Sequence, residues 1–105
     1  MTTYQMLTWH GIPTGVKAKD EHGEARQNLP IRFQAAVDAV ATAVGHTETT
    51  AYLAGWQWSE PAERDGSAEE VARAVADELV AEYSPERIKA LRHEIEQRLR
   101  VDADH

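Results

Sequence analysis

The period of the apolar positions changes along the chain, and each change marks an element. In residues 3–10, TYQMLTWH, Tyr4 and Met6 alternate with Leu7 and Trp9. An apolar residue on both faces predicts a first, central strand. Gly11, Pro13 and Gly15 mark a turn. Residues 16–20 read as a short second strand, Val16 and Ala18 inward and Lys17 and Lys19 outward. Residues 20–28 are polar and read as a hairpin extension or a mobile loop. The period then lengthens. Phe33, Ala36, Val37, Val40, Ala41 and Val44 recur at three and four, a single helical stripe with Pro30 in its first turn and Gly45 closing it.

After a loop over residues 46–50, Tyr52, Ala54, Trp56 and Trp58 alternate with Leu53, Gly55, Gln57 and Ser59, which predicts an aromatic third strand. Gly55 weakens a strand unless something needs the room, so it implies a bulge or a close neighbour. A charged turn over residues 60–66 leads to Ser67 and Glu70, a capping box that opens a second helix. Val71, Val75 and Leu79 line its dry face, with Glu70, Arg73, Asp77 and Glu78 opposite. Ser84 and Pro85 cap and open a third helix whose narrow stripe is Ile88, Leu91, Ile95 and Leu99.

The order β-β-α-β-α-α predicts a small α+β sandwich: a three-stranded sheet, partly parallel, with two to three helices packed on one face. Residues 1–100 are expected to form one domain and residues 101–105 a frayed tail. The aromatic strand is expected to lie beneath the first two helices, with Trp56 and Trp58 in the core. The narrow stripe of the third helix suits either packing back over the chain's own sheet or a second copy in a homodimer.

Charge and composition narrow the function classes. A net charge of −7, with Lys and Arg dispersed among the acids, opposes nucleic-acid binding, which needs a basic stripe. Without cysteine there is no disulfide framework and no thiolate chemistry. No run of apolar residues is long enough to span a membrane, and the N-terminal residues lack the pattern of a signal peptide, so a cytoplasmic address is expected. No cofactor motif, nucleophile elbow or metal-ligand spacing is found, and the five histidines are scattered at 10, 22, 46, 93 and 105. No catalytic residue, metal ligand or cofactor is assigned.

Two constellations carry candidate chemistry. The aromatics Trp9, Tyr52, Trp56 and Trp58 either fill a core or line a groove for a flat ligand or a partner side chain. The turn over residues 60–66 is either a solvated connection or a site beside a helix start. The leading expectation is a non-enzymatic accessory domain that binds a protein partner or itself. The rival is a ligand-binding or catalytic domain built around Trp9, Lys17, Arg32, Trp56 and Trp58.

Trp9-His10-Gly11-Ile12-Pro13, Val16-Lys17-Ala18, Leu29-Pro30 and Arg32-Phe33 form an ordered set of landmarks. With Tyr52-Leu53, Gly55-Trp56-Gln57-Trp58 and the helix start over residues 66–72, this set resembles a small bacterial family named for virulence factors. It is also similar to the domain that ends the longer conserved virulence factor C. The resemblance covers about residues 4–83. His10 stands where the family pattern is expected to carry Arg after the first Trp. The family's name implies no reaction and no catalytic residue.

Overall fold

A computed structural model of the chain describes residues 1–45 and 49–103. Most of the loop expected over residues 46–50, the end of the tail, and the histidines at 46 and 105 lie outside them. The fold is α+β, as the sequence pattern requires, but the sheet has five strands rather than three. They are β1 (Thr2–Trp9), β2 (Ile12–Asp20), β3 (Gly23–Asn28), β4 (Trp56–Trp58) and β5 (Ala62–Arg64). The helices are α1 (Ile31–Ala43), α2 (Thr49–Ala54), α3 (Ala68–Glu82) and α4 (Pro85–Ala103).

The strand order is β3-β2-β1-β4, with β5 also on β1, and every pairing is antiparallel. The parallel pairing expected after the helical crossover is therefore absent among the described residues. The third segment instead returns along β1 in the opposite sense, as β4 and then β5. Ser59 bridges the break between these two short strands. Its N–H donates to the Met6 carbonyl at 2.8 Å, and its hydroxyl accepts the Met6 N–H at 2.8 Å. The polar stretch after Asp20 is a hairpin strand. Ala25 is its one apolar residue, opposite Ala18 on the core side.

Direct cross-strand partners share a face. Tyr4, Ala18, Ala25 and Ala62 thus fall on one side, together with Met6 and Val16. Helix α3 lies across β1, β2 and β3 on that side, burying Val71, Ala72 and Val75. Its start is held by Ser67, whose hydroxyl accepts the Glu70 N–H at 3.2 Å, and by Asp20, whose carboxylate accepts the Ala68 N–H at 2.8 Å. The Thr2 hydroxyl, fully buried, donates to the Gly66 carbonyl and fixes the turn before α3.

The other helices gather at the end of the sheet where β1 turns into β2. Trp9, Ile12, Phe33, Val37 and Val40 are completely buried there. Residues 52–54, expected as strand, are helical. Their alternation is too short to separate a strand from a helical turn. As the carbonyl near the end of α2, Tyr52 O is free to accept both the Gly55 N–H at 3.3 Å and the Trp9 indole N–H at 2.8 Å. Gly55 is a close approach, as its place in the pattern implies. A Cβ there would stand 2.8 Å from the His10 ring and closer still to Trp9 Nε1.

Helix α4 packs chiefly on α1, and Ile88, Ile95 and Leu99 are buried within the chain, with Leu91 half-buried beside them. The narrow stripe thus covers a neighbouring helix rather than the sheet. Arg98 donates to the His10 carbonyl at 3.0 Å and pins α4 to the end of β1.

Candidate functional site

The five residues singled out in the sequence fall in three places. Trp9 is completely buried, its indole N–H bonded to Tyr52 O and its ring edge-on to His10 at 4.5 Å between centroids. It is a core residue that anchors α2. Trp56 is half-buried and meets the Tyr52 ring edge-on at 5.8 Å. Arg32 lies elsewhere. One of its terminal nitrogens donates to Val80 O and Tyr83 O, both at 3.3 Å, so it caps the last carbonyls of α3.

Lys17 and Trp58 come together, on the side of the sheet opposite α3. Trp58 is 40% exposed, which corrects the expectation that it lies beneath the helices. The reason is register. Trp56 and Trp58 pair with Trp9 and Leu7 and project to the same side, but α2 covers only the Trp9–Trp56 end. Among the described Phe, Tyr and Trp residues Trp58 is the only one that is exposed rather than half-buried or buried.

Lys17 reaches Trp58 from the far side of β1. Its strand and β4 flank β1, each about 4.8 Å away in a regular sheet. The ammonium sits 4.4 Å from the centre of the indole ring. Such a cation–π contact contributes about 0.5–1 kcal/mol at an exposed site. Leu7 and Gln5, both half-buried, lie on β1 between the two, and Gln5 donates to Ser59 O at 3.0 Å.

Register extends this face into three rows. Trp58, Leu7, Gly15 and Asn28 form one, Gln5, Lys17 and Arg26 the next, and Glu63, Thr3, Lys19 and Glu24 the last. Sequence reasoning missed Arg26 because the polar segment of β3 reads equally well as a loop, and it missed Leu7 because an apolar residue in a central strand reads as core. The alternation of GEARQN around Ala25 was the available signal.

A second concavity, about 270 Å³, opens on the other side of β1, beside α3. Met6, Val75 and Leu79 give it an apolar floor, with Tyr4 and Tyr83 at the sides. Its rim carries Arg64, whose guanidinium donates to Glu78 at 2.5 Å. That hydrogen bond holds the Arg64 pKa above, and the Glu78 pKa below, their ordinary values. Both side chains are well exposed, so water screens the pair and its net contribution is small. The charges at this rim already satisfy one another. None of the five sequence-predicted residues lines it.

Among the described residues no group of three or more His, Asp or Glu side chains is placed to hold a metal ion, and no helix is long and apolar enough to cross a membrane. The turn over residues 60–66 is partly strand β5.

Comparison with known proteins agrees with the landmarks. A family model described as "Virulence factor" matches residues 7–91. The chain is also 37% identical over 81 residues to a Bacillus subtilis (strain 168) protein named Uncharacterized protein YpgR. That match takes in 77% of this chain and 20% of the relative, so the shared region is a small part of a longer protein. No solved structure matches the chain. The ordered tryptophans, the buried Trp9–Ile12 corner and the match over residues 7–91 lead to one assignment: the chain belongs to the Virulence factor family.

Proposed function

We propose that the chain is a non-enzymatic, protein-interaction domain, and that the open side of its sheet is the face that receives the partner. The observation that carries this reading is Trp58, an exposed indole held by Lys17 on a face with Leu7 at its centre. Exposed tryptophan on a firm, flat support supplies large contact area with little side-chain entropy to lose, the usual character of an energetic anchor at an interface. The size relation to the relative also supports it. A region shared with only a fifth of a longer chain behaves as a module, and a module needs a face for its neighbours. The cysteine-free composition is compatible with the cytoplasm, where this reading places the domain.

The test is site-specific photo-crosslinking in cells that make the protein. A benzophenone amino acid replaces Trp58 in one version and Glu94, on the exposed surface of α4, in another. The reading expects a discrete protein adduct from position 58 alone, abolished by Leu7→Asp in a variant with unchanged circular dichroism. Equal labelling from both positions, or none from 58, overturns it.

A further inference from the structure

The open face sets two cations opposite one another on neighbouring strands. Lys17 and Arg26 are direct cross-strand partners, and like charges directly opposite one another destabilise a sheet. Arg26 is relieved by Glu24, its Nε 3.2 Å from the carboxylate. Lys17 has the Trp58 ring and no ion pair among the described residues. Lys19, in the next row, is exposed and also forms no ion pair among them. Counting Lys17, Lys19 and Arg26 against Glu24 and Glu63, these rows carry one more cation than anion in a chain whose net charge is −7. The excess acid lies behind it, where the exposed surface of α3 carries Glu69, Glu70, Asp77, Glu78 and Glu82.

Building on the interaction reading, we infer that the partner of this face is an acidic, extended protein segment. Its carboxylate settles between Lys17 and Arg26, and an apolar side chain two residues along covers Leu7 and Trp58. The spacing follows from the sheet. The Lys17–Arg26 row and the Leu7–Trp58 row are two residues apart along β1, roughly 6.8 Å, which is also the repeat of same-side residues in an extended chain. An anion there gives Lys17 the ion pair that the described residues do not supply, so the complex gains what the free domain lacks. A nucleic acid is the weaker candidate. Its phosphates offer the same charge, but three cations on a domain of net charge −7 cannot offset the repulsion of a polyanion.

The test uses fluorescence anisotropy of the intact chain with three labelled probes: a short peptide with Glu and Leu two residues apart, the same peptide with Lys for Glu, and oligothymidylate. The expected result is binding of the Glu peptide alone, weakened about tenfold by Lys17→Glu or Arg26→Glu and again by added salt. Preference for oligothymidylate, equal binding of the Lys peptide, or no binding of the Glu peptide at low salt overturns the inference. So does concentration-dependent mass in sedimentation, abolished by reversing the acids of α3, since the occupant is then a second copy. A position-58 adduct that forms undiminished in Lys17→Glu sinks the acidic segment and leaves the interaction reading standing. Absence of any position-58 adduct in the otherwise unaltered chain sinks both.

Discussion

Asp20 and Ala68, 48 residues apart in the chain, are joined by a hydrogen bond of 2.8 Å from the Ala68 N–H to the Asp20 carboxylate. The other carboxylate oxygen accepts the N–H groups of His22 and Gly23 at 2.8 and 2.9 Å. One side chain thus closes the β2–β3 turn and caps α3. These bonds favour the ionised form, that from Ala68 most strongly and that from His22 next, and they hold the Asp20 pKa below its ordinary value. A lowered folded-state pKa contributes stability that is complete above the ordinary aspartate range, about pH 4. It is lost as pH falls through the lowered value. Asp20→Ala is expected to melt lower near neutrality and to lose less further stability on acidification than the parent. Thermal unfolding followed by circular dichroism from neutral to strongly acid pH checks this, and parallel curves for the two proteins would refute it.

Gly55→Ala tests the corner where α2 meets β4. The added methyl group runs into the His10 ring and the Trp9 indole, and it breaks the bond from Trp9 to Tyr52 O. A loss of about 1–3 kcal/mol in urea unfolding is expected, the usual range for overpacking a filled site. An unchanged midpoint would mean that the corner has room it is not supposed to have.

The three tryptophans differ in their access to water, in the order Trp9 buried, Trp56 half-buried, Trp58 exposed. Iodide quenching should therefore fall sharply in Trp58→Phe and hardly at all in Trp56→Phe. Similar quenching constants in the two variants would place the wet indole elsewhere.

Arg32→Ala should destabilise the chain by about 1–2 kcal/mol, because it frees the Val80 and Tyr83 carbonyls at the end of α3 and removes a charge that complements the helix dipole. Arg32→Lys is expected to recover only part of this, since an ammonium lacks the planar fork of the guanidinium. Chemical denaturation of both variants is the measurement, and full recovery by lysine would show that charge alone matters.

Much of the fold is legible in the sequence where one face is wet and the other dry. The stripes of α1 and α3, the Ser67 cap, the Ser84 cap with its 3.2 Å bond from the Arg87 N–H, and the left-handed Gly45 all stand where the pattern puts them. Short elements with little burial are not legible. β5 is three residues, AER, inside a charged turn. β3 is an edge strand with a single inward apolar residue, so its polarity looks like that of a loop. Tyr52 was misplaced because alternation over four residues suits a helical turn as well as a strand. The candidate residues Lys17 and Trp58 are visible in the sequence, but their meeting is not. It depends on both strands flanking β1, which only the long-range pairing supplies.

The interruption at residues 59–61 has a further consequence for how another molecule can approach. Ser59 directs its hydrogen-bonding groups inward to β1, and Pro61 has no N–H to offer. The β4–β5 edge of the sheet is left with two ladders of three residues each, too short to template a strand from a neighbouring chain. Stacking into fibrils edge to edge is discouraged by the same break. A visitor beside Trp58 lands flat on the tryptophan side, gripping side chains rather than borrowing main-chain bonds from this edge, so its identity is read by chemistry instead of by backbone shape.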